Sequence, residues 1–320
     1  MTKTRQFREL LEGGRLVVSP GIYDGYSARL VESMGYSTAS TTGAGLANSR
    51  LGVADNGTMS MLENVDACRH LARNVGIPIM ADADTGYGNA LSVYSTVQYF
   101  EATGVVGINI EDQTYPKRCG HMRGKELITI AEMVKKIEAA VDAKTDQDFV
   151  INARTDSLVV EGLDQAVERI RAYGAAGADM VFPDAVRSQT DIEAFVRASS
   201  VPVSLNMGFG IRSRPTTPLL STDHLQDLGV ARVTLPRMLT AAAIRGMQLA
   251  LKIFSEGMAT GEIADRPDLL CSIDDITQLM GYDSLAELES KYLLPDQLEQ
   301  KYGGTRDSAG PTSWVRTSSS

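Results

Sequence analysis

The chain has 320 residues, which is long enough for one large α/β domain or two smaller ones. Its hydrophobic content of 43% and charged content of 22% are ordinary for a globular protein. The net charge of −9 argues against a nucleic-acid or anionic-membrane partner, because both require a basic surface. No apolar run approaches the roughly 20 residues of a membrane helix, and no apolar core near the N-terminus suggests a signal peptide.

The three cysteines, Cys68, Cys119 and Cys271, lie far apart and are odd in number. Such a set does not form a disulfide framework. We therefore expect a reducing compartment and a cytoplasmic protein.

Short apolar, β-branched runs alternate with helical patterns along most of the chain. Their near-continuous hydrophobicity is typical of strands that are buried on both faces, as in a parallel sheet. The pattern predicts eight strands, near residues 16–22, 37–42, 77–82, 105–110, 149–153, 180–182, 201–205 and 231–235.

Amphipathic stretches between these strands predict helices, including residues 131–143 and 163–175. Several end in a glycine just before the next strand, as at Gly35, Gly104, Gly177 and Gly229, where glycine supplies a left-handed cap. Eight β-then-α units over about 250 residues predict a closed (β/α)8 barrel of the TIM type. A doubly wound open sheet is the alternative, but no G-x-G-x-x-G motif follows the first strand.

The pattern changes after Leu249. Residues 274–294 predict further helix, broken into two pieces at Gly281. Its apolar residues must pack against another surface, such as that of a neighbouring subunit. The Gly-, Ser- and Thr-rich end of the chain is expected to be disordered. We therefore divide the chain into a catalytic barrel (1–255), a helical extension for subunit packing (256–302) and a tail (303–320).

Polar residues follow nearly every predicted strand at its carboxyl end, which is the end where barrel enzymes carry out their chemistry. Aspartates cap helices and end strands routinely, so each one alone has an ordinary structural explanation. Together they are expected to converge on one mouth. The set comprises Thr42, Gly43, Asp82, Asp84, Glu111, Arg154, Asp184 and Asn206, with Asp55 in the loop after the second strand.

Carboxylates this close together would repel one another, and a divalent cation would relieve the repulsion. Oxygen ligands favour Mg²⁺, with Mn²⁺ as the alternative. Zinc is disfavoured, since the chain has three histidines and none lies at ligand spacing from a cysteine pair. Arg154, Arg118 and Lys117 would hold substrate carboxylates.

The segment Lys117-Arg118-Cys119-Gly120-His121 predicts a reactive thiol on a mobile loop. Neighbouring cations favour the thiolate, and His121 could exchange a proton with the sulfur. A buried, inert cysteine is the simpler interpretation of such a segment taken alone. The carboxylates at the strand ends favour the functional one.

Four motifs resemble the isocitrate lyase/phosphoenolpyruvate mutase superfamily, and especially its 2-methylisocitrate lyase and 2,3-dimethylmalate lyase/oxaloacetate hydrolase branches. The resemblance runs from about residue 7 to residue 251. The motifs are Asp82-Ala83-Asp84, Ile110-Glu111-Asp112-Gln113, Lys117-Arg118-Cys119-Gly120-His121 and Ala153-Arg154-Thr155-Asp156.

Membership would imply a barrel whose last helix is exchanged between subunits, in a homotetramer. It would make Asp82 the main metal ligand, with Asp55, Asp84 and Glu111 acting mostly through metal-bound water. Cys119 would be the general acid, with Lys117, Arg118, Glu111 and His121 as its catalytic neighbours. The substrate would contact Thr42, Gly43, Ala44, Gly120 and Arg154.

Two positions depart from the lyase pattern. Asp184 stands where the lyases carry a glutamate, and the loop after the seventh strand is longer and more basic, with Arg212 and Arg214. In the family that the chain resembles, this loop binds the part of the substrate that is released on cleavage. We therefore expect the choice of acid to depend on Asp184, Asn206, Arg212 and Arg214. The mutases lack the cysteine loop, which argues against phosphonate chemistry.

The resulting hypothesis is a Mg²⁺-dependent carbon–carbon lyase. Its substrate would be a 2-hydroxy di- or tricarboxylate of malate or methylisocitrate type, cleaved to an α-keto acid and a carboxylate. An oxaloacetate hydrolase or decarboxylase that uses the same site is the second interpretation. A catalytically silent barrel is the third, and the complete acidic set and cysteine loop argue against it.

Overall fold

The computed structural model describes residues 1–120, 122–212 and 216–303. Eight parallel strands form the barrel, which confirms the predicted fold class. They are β1 (Val17–Ile22), β2 (Ala39–Thr41), β3 (Ile79–Asp82), β4 (Gly107–Glu111), β5 (Val150–Thr155), β6 (Met180–Pro183), β7 (Ser204–Asn206) and β8 (Arg232–Leu235).

Each strand pairs in parallel with its sequence neighbours, and β1 pairs with β8. Between β6 and β7 the ladder is reduced to a single parallel bridge, Val181 to Val203, so the barrel is nearly closed. All eight strands lie where the hydrophobic runs predict them, with ends that differ by a few residues.

Helices follow the strands in order around the barrel. They are α1 (Lys3–Glu12), α2 (Gly25–Ser33), α3 (Gly43–Leu46), α4 (Met61–Asn74), α5 (Ala90–Glu101), α6 (Ile130–Ala143), α7 (Leu163–Ala175), α8 (Gln189–Ala198), α9 (Thr222–Asp227) and α10 (Met238–Thr260). The four predicted capping glycines, Gly35, Gly104, Gly177 and Gly229, all have positive φ, as left-handed caps require.

Helix α1 closes the amino-terminal end of the barrel. Its Phe7 is fully buried and packs with apolar side chains at or near the starts of the strands, namely Val17, Met80, Val106, Val150 and Met180. The opposite end, where the strands finish, is therefore the end available for chemistry.

The chain divides into two compact units, the first ending at Ile244 and the second beginning at Arg245. In the second unit, α11 (Ile273–Leu279) and α12 (Tyr282–Tyr292) flank Gly281, which has φ 76°, as the predicted break requires. A further helix, α13 (Pro295–Tyr302), follows them. The predicted disordered tail lies, apart from Gly303, outside the described residues. Over the described ranges, no helix is long and apolar enough to cross a membrane.

Candidate active site

The carboxyl ends of the strands surround a cavity, called here the inner cavity, which lies within the first unit. Parallel pairing in register brings side chains that are distant in sequence to the same level. Asp82 is paired with Asn109, and Glu111 with Arg154. The inner cavity is lined by Thr41, Thr42, Ala44, Asp55, Asp82, Asn109, Lys117, Cys119, Gly120, Arg154, Phe182, Asp184, Asn206, Thr234 and Arg237, among others.

Arg154 lies in the wall of the inner cavity and contacts three carboxylates. Its Nε lies 2.9 Å from Asp156 Oδ2 and 3.3 Å from Glu111 Oε2, and its Nη2 lies 2.9 Å from Asp184 Oδ2. Burial opposes the charge, but these carboxylates outweigh burial and hold the pKa of Arg154 well above its ordinary value. The guanidinium is thereby fixed in place and charged.

Asp184 and Asn206, the predicted specificity residues, contact one another. Asn206 Nδ2 donates to Asp184 Oδ1 at 2.6 Å, and Thr234 Oγ1 donates to Asn206 Oδ1 at 2.5 Å. Asp184, Asn206 and Thr234 are all buried. Asp184 therefore connects Asn206 on β7 and Thr234 on β8 to Arg154 on β5.

The four predicted metal ligands, Asp55, Asp82, Asp84 and Glu111, surround the Lys117 ammonium with negative charge, and Asp55 and Asp82 also line the inner cavity. Lys117 Nζ lies 2.5 Å from Asp55 Oδ1 and 2.8 Å from Asp84 Oδ1. Burial opposes this charge too, but Asp84, Glu111 and the other acids raise the pKa of Lys117 well above its ordinary value. Lys117 thus faces acidic side chains of its own chain, whereas the sequence predicts contact with substrate carboxylates.

One buried carboxylate oxygen of this group is left without a partner. Glu111 Oε1 has no hydrogen-bond partner among the described residues, whereas the buried Asp84 Oδ1 is ion-paired with Lys117 Nζ at 2.8 Å. Burial raises the pKa of Asp84 to about 6, with Lys117 opposing, and burial likewise raises the pKa of Glu111 well above its ordinary value. Unsatisfied buried carboxylate oxygens are what a bound cation would satisfy.

The balance of acidic and basic side chains also suits a cation. The described side chains that line the inner cavity, counted together with the ion pairs connected to them, comprise six acids and four bases, an excess of two acidic groups. The acids are Asp55, Asp82, Asp84, Glu111, Asp156 and Asp184, and the bases are Lys117, Lys125, Arg154 and Arg237. Oxygen-only donors with this excess of acidic groups fit Mg²⁺.

The donor set is nevertheless not assembled around a single point. No group of three His, Cys, Asp or Glu side chains within the described ranges is arranged to hold a metal ion. The Lys117 ammonium is inserted between Asp55 and Asp84, which accounts for their separation. Asp82 is held by its neighbours, since its Oδ2 accepts from Gly43 N at 3.0 Å and its Oδ1 from Asp84 N at 3.2 Å.

Thr42, Gly43 and Ala44, predicted to contact the substrate, begin the short helix α3 directly after β2. Thr42 and Ala44 line the inner cavity. Gly43 lies so close to Asp82 that an added Cβ would be 2.9 Å from Asp82 Oδ2, so a side chain here would disturb the acidic group.

The predicted cysteine loop lies over the mouth of the inner cavity. Cys119 is half-buried, and Arg237 Nη2 donates to its Sγ at 3.0 Å. Cys119 N donates to Asp55 O at 3.2 Å, so the thiol is tied to the same loop that carries a predicted metal ligand. His121 lies outside the described residues.

A second, larger cavity of about 750 Å³, called here the outer cavity, continues from the thiol toward the loop after β7. Arg118, Met122, Ile211, Arg212 and Arg237 are among the residues that line it. Arg212 is exposed to solvent at this wall, while Arg214 lies outside the described residues.

Three side chains without a role assigned from the sequence hold the segment around Cys119: Gln113, Lys125 and Arg237. Gln113 and Arg237 each come two residues after the end of a strand, β4 and β8, so the rule that identified the other strand-end residues could have found both. Lys125 has no comparable local signal, because its partners become apparent only in the folded loop.

The comparisons with known proteins agree with this geometry. A family model described as phosphoenolpyruvate phosphomutase matches residues 7–254. The chain is 35% identical to the 2,3-dimethylmalate lyase of Eubacterium barkeri, over 91% of this chain and 99% of that protein. It is 38% identical to the 2-methylisocitrate lyase of Aeropyrum pernix, over 86% of each.

Two solved structures are also similar. An oxaloacetate acetylhydrolase in complex with the inhibitor 3,3-difluorooxalacetate superposes with a TM-score of 0.83 at 30% identity, covering 91% of this chain and 97% of that one. A phosphonopyruvate hydrolase in complex with oxalate and Mg²⁺ superposes with a TM-score of 0.80 at 32% identity, covering 92% and 100%.

Proposed function

Since this chain belongs to the phosphoenolpyruvate phosphomutase family, we propose that it cleaves a 2-hydroxy di- or tricarboxylate of malate or methylisocitrate type into an α-keto acid and a carboxylate. The 2,3-dimethylmalate and 2-methylisocitrate relatives described above are lyases, and the chain is accordingly an enzyme of the carbon–carbon lyase class. The observation that carries the finer proposal is the inner cavity, where a thiol, a fixed guanidinium and an acidic group face one another.

The chain's own residues account for the steps. Arg154 binds the carboxylate beside C2, since its charge is held by three carboxylates and its side chain lines the inner cavity. Glu111 Oε1, which has no hydrogen-bond partner, takes the proton of the C2 hydroxyl. The C2–C3 electron pair then leaves with C3, C2 becomes a ketone, and the Cys119 thiol gives its proton to C3.

Mg²⁺, with Mn²⁺ as the alternative, is the proposed cofactor. Asp82, Asp84, Asp55 and Glu111 would hold it, and when bound it would supply charge stabilisation for the developing oxyanion. The Glu111 oxygen that has no hydrogen-bond partner and the excess of acidic over basic side chains support this assignment. The similar phosphonopyruvate hydrolase is described as a complex with Mg²⁺.

Calorimetric titration with Mg²⁺ tests the metal assignment. Asp82→Ala should weaken binding because it removes the carboxylate assigned to the metal itself. The matched control is Asp164→Ala, an exposed aspartate on α7. Wild-type affinity in Asp82→Ala would make the acidic group structural.

The activity test is a screen of four- to seven-carbon 2-hydroxy and 2-keto diacids with Mg²⁺, with detection of the keto acid formed. The proposal expects glyoxylate or pyruvate together with a carboxylic acid. Absence of cleavage of every hydroxy acid would contradict it.

An oxaloacetate hydrolase or decarboxylase is the second candidate, favoured by the similarity to oxaloacetate acetylhydrolase. The same screen separates the three reactions by their products. Hydrolysis of oxaloacetate yields oxalate and acetate, whereas decarboxylation yields pyruvate and CO2.

We further propose a cytoplasmic homotetramer in which the helices after residue 255 pack against a second copy of the chain. Three free cysteines support a reducing compartment. Exposed apolar side chains after residue 255 support the packing, and they include Met258, Ile273, Tyr282, Leu285, Leu288 and Tyr292.

A further inference from the structure

The loop that carries the thiol, residues 113–127, is closed at its base. Gln113 and Leu127 form an antiparallel bridge, and Thr114 N donates to Glu126 O at 2.8 Å. The two ends of the loop are therefore held together. These contacts at the two ends of the loop do not by themselves fix the position of Cys119, which lies near the middle of the loop.

Gln113 holds the residue before the thiol. Its Nε2 donates to Arg118 O at 2.8 Å, and its Oε1 accepts from Arg118 N at 2.9 Å. Gln113 is 1% exposed. Its side-chain amide satisfies both the N–H and the C=O of Arg118, as the backbone of a paired β-strand would.

Lys125 holds the residue after the thiol. Its Nζ donates to Gly120 O at 2.8 Å and to Asp156 Oδ1 at 2.7 Å. The side chain of Lys125 is 2% exposed and that of Asp156 is fully buried, so the ion pair is enclosed. Burial alone would raise the pKa of Asp156, but Arg154 and Lys125 outweigh it and hold the pKa below its ordinary value.

Asp156 is itself held in place by further contacts, so its ion pair with Lys125 fixes the position of the Lys125 ammonium. Asp156 N donates to Asp112 Oδ1 at 3.0 Å, and the Asp156 carboxylate also pairs with Arg154. Lys125 therefore connects the loop to the arginine assigned to the substrate carboxylate.

We propose that Gln113 and Lys125 are positioning residues that fix the peptides on both sides of Cys119 and so hold its thiol over the inner cavity. The catalytic consequence rests on the proposed function. An acid that protonates a carbanion must lie within hydrogen-bonding reach of it, and a shift of about 1 Å can cost about 10²-fold in rate. Burying a lysine–aspartate pair carries a large desolvation cost. We assign to the Lys125–Asp156 pair the role of fixing the loop in position.

The test uses Gln113→Glu, which keeps the acceptor and removes the donor, and Lys125→Met, which removes the charge. Matched controls are Gln98→Glu and Lys135→Met, the same changes at exposed helix positions. Thermal unfolding of each variant shows that it is folded. If Lys125→Met does not fold, Gln113→Glu alone decides the outcome, because it leaves the buried ion pair intact.

The first measurement is the rate at which iodoacetamide alkylates Cys119 without substrate, followed by mass spectrometry on the tryptic peptide of residues 119–123. Both variants should react several-fold faster than wild type, because the thiol is released from its fixed position. The double variant should show less than the product of the two effects, because the two side chains fix the position of the same thiol from its two sides. Wild-type rates in both folded variants would overturn the proposal.

The second measurement separates positioning from simple loop stability. Gln113→Glu should lower kcat by about 10²-fold with KM unchanged, since Gln113 does not contact Arg154. A rise in KM at constant kcat would overturn the assignment. If the wild-type protein cleaves none of the acids, the proposed function fails. The alkylation rates would still show whether Gln113 and Lys125 hold Cys119 in place.

Discussion

At the scale of single residues, the site depends on how tightly the loop and the strand ends approach one another. Gly120 lies against the Arg154–Asp184 ion pair, and Cys119 lies beside Arg237. Gly120 thus approaches two charges that already pair with each other, and Cys119 accepts a hydrogen bond from a half-buried guanidinium. Small changes at Cys119 or Gly120 should therefore affect turnover more than folding.

Cys119→Ser should abolish most turnover and leave substrate binding nearly intact. The hydroxyl of serine has too high a pKa to serve as the proton donor, and loss of one general acid lowers the rate by about 10²–10⁴-fold. Steady-state kinetics with a separate binding measurement would check this, with Cys271→Ser at an exposed position as the control. Undiminished cleavage would remove Cys119 from the mechanism.

Gly120→Ala should lower kcat by about 10²-fold through displacement of the loop. An added methyl group would overlap Asp184 Oδ2 and lie 2.5 Å from Arg154 Nη2, and neither side chain can give way without breaking a buried ion pair. The control is Gly25→Ala, where an added Cβ meets nothing within 4 Å. Unchanged kinetics would mean that the loop is not closed over the ion pair during turnover.

At the scale of elements, two loops on the first unit share the outer cavity: the cysteine loop and the loop after β7. Arg118 and Met122 of the first face Gly210, Ile211 and Arg212 of the second. The wall therefore combines cationic and apolar groups. It suits the far half of a substrate that carries a second carboxylate.

Arg212→Ala should lower kcat/KM for a diacid far more than for the matching monoacid. A charged hydrogen bond contributes about 1.5–3 kcal/mol, which corresponds to about ten- to a hundredfold in kcat/KM. The comparison is Arg171→Ala, an exposed arginine on α7. Equal losses on both acids would assign Arg212 to structure and leave the choice of substrate to Asp184 and Asn206.

At the scale of the whole molecule, the two units differ in how far their apolar side chains are buried. The first encloses a large core between the strands and the surrounding helices. In the second, helices α11–α13 bury none of their residues, and large apolar side chains remain exposed. Such a surface is expected to be covered in solution.

Deletion of everything after Glu256 should convert the protein to lower oligomers or make it insoluble, because it removes α11, α12 and α13, the helices assigned to subunit packing. Light scattering measures the outcome, and deletion of residues 304–320 alone serves as the control. A well-behaved truncated tetramer would contradict the proposed packing of these helices between subunits.

The sequence by itself determined the barrel and the residues of its mouth. Each strand is a short apolar run whose burial on both faces is a local property of the sequence, and all parallel strands end at the same side. Asp82, Glu111, Arg154, Asp184 and Asn206 could therefore be placed at one mouth before any partner was known.

Only the tertiary structure decided which charges meet. Lys117, expected to face substrate, lies between Asp55 and Asp84, and Lys125 reaches Asp156 across 31 residues of chain. Arg232, inside a predicted apolar strand, is fully buried and donates to hydroxyls on three other strands. Such partners depend on strand register and on the path of a closed loop, and long-range contacts of this kind leave no local pattern in the sequence.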